Sequence, residues 1–170
     1  MTNSMAEIEN NDVLFVIGSN TKESHPIIAL KMIKAKRRGA KIIIADPRRV
    51  PMVRFADIWI QHRPGTDVAL LNGMMHVLLK EGLVKKDFIE SMTEGFDDAF
   101  RKNLDSYTPE AVAKITGVPA DLIVKAARMY GSSERAGIYY TMGITQHAHG
   151  TENVFSVANL ALMTGNLGKE

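Results

Sequence analysis

Apolar residues along this chain come in short blocks, each cut off by glycine, proline or a charged group. Val13-Leu14-Phe15-Val16-Ile17 is a continuous run that stops at Gly18-Ser19-Asn20. A run of that length between turn signals reads as a buried strand entering a tight loop. Lys41 to Ala45 repeats the pattern and stops at Asp46-Pro47-Arg48-Arg49. Ile58-Trp59-Ile60 is a third, shorter strand, and Ile138 to Met142 a fourth. Between the second and third strands no stretch is long enough for a helix, so an irregular connection is expected there.

Elsewhere the pattern turns helical. From about Pro26 to Arg38, Ile27, Leu30, Met32 and Ile33 supply an apolar stripe with lysines opposite. Pro26 suits a first helical turn and Gly39 an end. Val68 to Lys80 is apolar almost all round, as expected of a helix laid on a sheet; Thr66 or Asp67 can cap it and Gly82 stop it. From Lys86 to Gly131 the helical pattern is interrupted several times. Thr108-Pro109-Glu110 opens one helix that Gly117 closes, and Pro119 opens another that ends at Gly131. After a loop from Gly143 to Gly150, a last helix is predicted over about Thr151 to Thr164. Strands alternating with helices predict an α/β fold: a doubly wound, mostly parallel, Rossmann-like sheet with helices on its faces. The block at about 86–131 reads as a helical insertion, with residues 1–170 forming a single domain.

Composition narrows the function classes. A net charge of +2 with no dense basic tract argues against nucleic acid as a partner. Lys31, Lys34, Lys36, Arg37 and Arg38 cluster, but mostly on one helical face, which reads as solvated. The absence of cysteine removes disulfides, thiolate catalysis and cysteine-held clusters from these residues. No apolar run is long enough to span a bilayer, and the opening MTNSMAEIEN is too polar and acidic for a signal peptide. A cytoplasmic location is the expectation.

In open parallel sheets ligands sit beyond the carboxyl ends of the strands. Three polar loops are predicted there: GSNTKES at 18–24, ADPRR at 45–49 and MGITQHAHG at 142–150. The first leads into a helix, whose free N–H groups favour an anion, or it is a plain turn. It has neither G-x-G-x-x-G nor the Walker spacing. Asp46 ends the second strand, where an acid commonly accepts ribose hydroxyls, and it could equally receive the N–H edge of guanine. Pro47 fixes the backbone beyond it, and Arg48 or Arg49 could fork onto phosphate oxygens. The bland alternative is a turn cap beside solvated arginines. Gly65-Thr66-Asp67 offers donors and an acid at another helix start, for binding or for capping alone. His76 shares a stripe with Asn72 and Lys80 and reads as a polar-face residue; His25 and His62 read as cap and loop residues. His147-Ala148-His149 lacks a nearby third metal ligand. Spacing identifies no catalytic triad or carboxylate pair, so neither a catalytic nor a metal-ligating residue is assigned.

Taken together, these stretches resemble the molybdopterin-dependent oxidoreductases, and among them the large subunit of formate dehydrogenase. The resemblance runs along VIGSNTKESHP at 16–26, GAKIIIADPRR at 39–49, FADIWIQHRPGTDVALLNG at 55–73, TEGF at 93–96, YTPE at 107–110, YYTMGITQHAHG at 139–150 and NLALMTGNLGKE at 159–170. It implies a domain that grips one of two molybdopterin guanine dinucleotides around molybdenum or tungsten. By position, Gly18, Ser19, Asn20 and Glu23 would line the first loop. Asp46, Pro47 and Arg48 would meet the guanosine end, and Gly65 and Asp67 would close around it. Met142, Gly143 and Gln146 would reach the cofactor from the last loop.

The resemblance further implies that the [4Fe–4S] cluster and the metal-bound cysteine or selenocysteine lie upstream of these residues. The chain is therefore expected to be a piece of a larger enzyme. Its partners would be the remaining domains of the same subunit and, beyond them, electron-transfer subunits. The isolated segment is expected to be inactive, and its exposed apolar surface could drive self-association. Two alternatives stand: the same domain from another molybdopterin oxidoreductase such as a nitrate reductase, or a non-catalytic nucleotide-binding or assembly module.

Overall fold

The structure, a computed structural model, describes residues 2–169. A short 3-10 segment (Met5–Asn10) precedes β1 (Val13–Ile17). Then follow α1 (Thr21–Ser24), α2 (Pro26–Arg37), β2 (Lys41–Ala45), a 3-10 turn (Pro51–Phe55), β3 (Ile58–Ile60) and α3 (Asp67–Lys80). The helices α4 (Lys86–Met92), α5 (Asp98–Asp105), α6 (Pro109–Thr116) and α7 (Ala120–Gly131) lead to β4 (Ala136–Tyr140). The chain continues into α8 (Met142–Thr145) and α9 (Gly150–Met163).

All four strands are parallel, in the order β3-β2-β1-β4. From β1 the chain winds outward through β2 to β3, then crosses back to add β4 on the other side of β1. The winding direction therefore reverses between β1 and β4, which is the switch point of a doubly wound sheet.

Period-two alternation divides the strand residues between two cores. Leu14, Val16, Ile42 and Ile44 pack with Ala29, Met32 and Ala35 of α2, and with Ile8 and Met52 from the two 3-10 segments. Phe15, Ile17, Ile43 and Ala45 face the other way, onto Leu71 and Met75 of α3, Ile123 and Tyr130 of α7, and Leu160 of α9. The Phe15 and Tyr130 rings meet edge-on, with centroids 6.0 Å apart, a geometry worth about 0.5–1.5 kcal/mol beyond area burial. Burial also pushes the Tyr130 phenol well above its ordinary pKa.

The helical block is integral to this second core: Val112 of α6 and Ala126 of α7 share it with the strands. α6 begins and ends as its sequence dictates. The Thr108 hydroxyl accepts from Ala111 N–H at 3.3 Å, and Gly117 closes the helix in the left-handed region at φ +77°.

Four expectations need correction. The buried line of α2 is Ala29, Met32 and Ala35, while Ile27 and Leu30 are 64% and 55% exposed. The small Ala29 and Ala35 let the helix lie close to the sheet, and Ile27 and Leu30 face outward. β4 covers 136–140 rather than 138–142, because pairing with β1 selects Ala136 and Gly137 in spite of their weak strand propensity. The loop after β4 opens with the short helix α8. His76 is no polar-face residue: it is 8% exposed and its Nδ1 bonds the Leu104 carbonyl at 2.8 Å.

The basic cluster on α2 is partly neutralised. Lys31, Lys34 and Arg38 lie 3.4, 3.8 and 3.2 Å from the carboxylate of Glu9, and Lys36 pairs with Asp57.

Candidate functional site

Loops leaving all four strands share the carboxyl rim of the sheet, and main-chain bonds tie them together. Gly18 N–H donates to the Ala45 carbonyl at 3.0 Å, linking the ends of β1 and β2. Asp46 N–H donates to the Ile60 carbonyl at 3.1 Å, linking β2 to β3. At the switch point, the Gly18 carbonyl accepts from Gly143 N–H at 3.1 Å and from the Thr141 hydroxyl at 2.9 Å.

The two glycines cross so closely that neither tolerates a side chain. A Cβ on Gly18 would lie 2.7 Å from the Gly143 carbonyl carbon, and a Cβ on Gly143 would lie 2.7 Å from Gly18 Cα. Gly18 also sits at φ +57°, a conformation that costs an L-residue about 1–2 kcal/mol. The result is bare backbone at the crevice where open α/β sheets bind ligands.

Asp46 is 3% exposed. Its Oδ1 accepts from Arg48 N–H at 2.8 Å, and the Arg48 Nε stands 3.6 Å away. Trp59 Nε1–H holds the Asp46 carbonyl at 3.1 Å, and Gln61 Nε2–H holds the Pro47 carbonyl at 3.0 Å. The acid is thus fixed from both sides, while the Arg48 guanidinium extends into solvent.

Asp67, 3% exposed, opens α3 with its Oδ1 2.9 Å from His62 Nε2. His62, in the loop between β3 and α3, is equally buried, at 2%. Its Nδ1 is buried without a partner. With Nε2–H donating to the carboxylate, Nδ1 is a lone pair shielded from water, an arrangement that costs about 1–3 kcal/mol unless a donor meets it. Asn20 Oδ1 is a second buried acceptor without a partner, and Asn20 Nδ2 binds Glu23. Thr66 takes the N-cap position of α3, but its hydroxyl donates to the Arg63 carbonyl rather than capping.

Apart from Asn20, whose buried Oδ1 is described above, the predicted residues divide into three groups. Gly18, Ser19, Met142 and Gly143 gather at the switch point, with Ser19 buried and its hydroxyl against Thr21. Asp46, Pro47 and Arg48 lie beside the end of β3, from which Gly65 and Asp67 follow. Glu23 and Gln146 are exposed, and their bonds run only within their own loops, to Asn20 and Met142.

Sequence reading gave Thr141, Trp59, Gln61 and His62 no role at the rim. Their one legible signal was position at or just beyond a strand end. His147 donates from Nε2 to the Gly143 carbonyl at 2.8 Å, which ties it to the loop. Among the described residues no group of three or more His, Asp or Glu is placed to hold a metal ion.

A parallel, doubly wound sheet with bare backbone at its switch point and a buried acid at the next strand end defines an open α/β domain of the class that binds ligands at its strand ends. The family model described as molybdopterin oxidoreductase matches residues 1–170, and the chain belongs to that family. The family implies a molybdopterin cofactor carrying molybdenum or tungsten. The chain is 51% identical over 169 residues to the F420-dependent formate dehydrogenase 1 subunit alpha of Methanococcus maripaludis, covering 99% of this chain and 25% of that protein. It is 50% identical over 169 residues to formate dehydrogenase H of Escherichia coli, covering 99% and 24%. Among solved structures, the acetylene hydratase of Pelobacter acetylenicus superposes with a TM-score of 0.86 at 28% identity, over 96% of this chain and 24% of that one. The chain thus spans about a quarter of the length of the curated relatives it matches. No helix among the described residues is long and apolar enough to cross a membrane.

Proposed function

We propose that this chain is the domain of a formate dehydrogenase catalytic subunit that holds one molybdopterin guanine dinucleotide along the rim of its sheet. The observation that carries the reading is the Gly18–Gly143 crossing at the switch point, which keeps side chains out of the crevice and so leaves room for a long ligand beside bare main chain. The donor and acceptor set suits that ligand. Asp46 has one oxygen bonded to the Arg48 N–H and the other available to a purine N–H edge. The Arg48 side chain is 74% exposed and would reach phosphate while its Nε stays 3.6 Å from Asp46, and Asn20 Oδ1 is a buried acceptor awaiting a donor. Gly18, Ser19, Asn20 and Glu23 would hold the cofactor from one side, and Met142, Gly143 and Gln146 from the other. Asp46, Pro47, Arg48, Gly65 and Asp67 would surround the guanosine end.

When bound, the pterin-held metal supplies the two-electron redox chemistry that converts formate to carbon dioxide; this chain contributes binding and orientation. Formate as substrate is supported by the 51% identity to a formate dehydrogenase alpha subunit. In this reading a [4Fe–4S] cluster and the residue that ligates the metal come from other parts of the same polypeptide, with electron-transfer subunits beyond. The 170 residues alone should not oxidise formate.

The test is a titration of the chain with GDP and ADP, before and after Asp46→Ala. GDP should bind about 10-fold more tightly than ADP, since one bidentate contact to a base edge is worth roughly 1–3 kcal/mol. Asp46→Ala should remove the preference. Equal affinities in the unaltered chain would defeat the guanosine assignment. Formate oxidation by the cofactor-loaded 170-residue chain would defeat the claim that catalysis needs the rest of the subunit.

A further inference from the structure

The free edge of the sheet is unfinished. β4 is hydrogen-bonded on one side only, to β1. The Arg135 carbonyl accepts from Asp12 and Val13 N–H, at 2.8 and 3.2 Å, on the β1 side. Main-chain polar groups of successive strand residues point to alternate sides. Ala136, Ile138 and Tyr140 therefore turn theirs to the open side. The first is already satisfied, because Asn166 Oδ1 accepts from Ala136 N–H at 3.2 Å, standing in for a neighbouring strand. Ile138 and Tyr140 have no such partner among the described residues.

Residues from the N-terminal 3-10 segment, α2 and α9 flank the space beside this edge. Ile28 from α2 and Val154, Ala158 and Leu162 from α9 line a cavity of about 400 Å³ that runs along β4. Beside it Phe155 is 63% exposed and Tyr140 39%. An open edge with apolar flanks is a template for another strand.

We infer that β4 receives a fifth strand, an extended segment with apolar or small side chains, from the longer polypeptide of which this chain forms a domain. The inference rests on the domain reading above and specifies where that polypeptide returns to the sheet. The relatives carry about four times this length, and the cavity opens where the layered sheet would otherwise continue. Backbone pairing would come from Ile138 and Tyr140, and side chains would enter between α2 and α9.

Hydrogen exchange tests this in the full-length subunit, with the 170-residue chain as reference. In the full-length protein the Ile138 and Tyr140 amides should exchange roughly 100-fold more slowly than in the short chain, approaching the buried strands β1 and β2. That protection should not change on dilution. Ala158→Lys, which puts a charge in the cavity, should remove it while Val16 and Ile44 stay protected. Fast exchange at Ile138 and Tyr140 in the full-length protein would overturn the inference. So would protection that vanishes on dilution, which would assign the edge to a second copy. Molybdenum or tungsten content of the same preparation reports separately on the cofactor reading, so the two can fail independently.

Discussion

The crossing of Gly18 and Gly143 makes a quantitative prediction, because two causes of glycine dependence can be separated there. In Gly18→Ala, the new residue must hold φ +57°, costing about 1–2 kcal/mol. Its Cβ would also stand 2.7–3.0 Å from the backbone of Gly143 and Ile144. Relieving that contact must part the loops and stretch the two hydrogen bonds onto the Gly18 carbonyl, each worth about 0.5–1.5 kcal/mol. The sum is about 2–5 kcal/mol, a large share of a typical stability of about 5–15 kcal/mol. Gly65→Ala is the control for strain alone: φ is +78° and nothing lies within 4 Å of a Cβ, so about 1–2 kcal/mol is expected. Gly143→Ala is the control for the clash alone, since Gly143 lies outside the positive-φ set. Urea unfolding of the three variants at pH 7 should rank the losses as Gly18→Ala greatest, Gly143→Ala next and Gly65→Ala least. At about 2–4 °C per kcal/mol for a protein of this size, thermal midpoints should separate clearly. If Gly18→Ala and Gly65→Ala lose the same amount, the crossing places no steric demand and the close approach of the loops is wrong.

Three further outcomes follow from the packing and the charges. Burial raises the Asp57 carboxyl, but the Lys36 ammonium, the Ile42 N–H and Lys41 together hold it below its ordinary 3.8, and hydrogen bonds from Arg135 lower Asp12 likewise. A carboxyl depressed in the folded state stabilises above its unfolded pKa, and that contribution is lost as pH falls through the folded value; Asp57→Asn should flatten the decline in urea midpoint below pH 4. Gly73→Ala should cost about 1–3 kcal/mol by overpacking, because its Cβ would meet Val112 Cγ2 at 2.9 Å. Adding Val112→Ala should recover part of that loss in a double-mutant cycle, and strict additivity would refute the contact. His62→Ala leaves the buried Asp67 carboxylate without its donor and should cost about 1–3 kcal/mol, with His62→Gln milder; equal stability of all three proteins in calorimetry would show that the pair carries nothing.

Strands β1, β2 and β3 were legible to the residue because each is a short apolar run closed by polar or turn-forming residues: Gly18 after β1, Asp46-Pro47 after β2, and Arg63-Pro64-Gly65 soon after β3. The start of β4 was not, since Ala136-Gly137 has little strand propensity and only long-range pairing with β1 makes it one. The face of α2 was misread for a related reason. Apolar character tells which residues can be buried, not which are, and close packing on the sheet chose Ala29 and Ala35 over Ile27 and Leu30. At the rim, polar loop composition singled out Asp46 and Gly18. The partners Trp59, Gln61 and His62 stayed hidden because what they hold lies up to thirteen or fourteen residues away in sequence. Buried His76, held by Leu104 from another helix, escaped for the same reason.

The rim loops are positioned by peptide groups: Gly18 N–H on Ala45, Asp46 N–H on Ile60, Gly143 N–H on Gly18. Outside the Gly18–Gly143 crossing, every amino acid except proline brings the same N–H and carbonyl, so most substitutions elsewhere in the loops leave these ties untouched. Shape and side-chain identity can then drift apart over evolutionary time, as a TM-score of 0.86 at 28% identity illustrates. Mutation can rewrite what the loops touch while leaving where they stand.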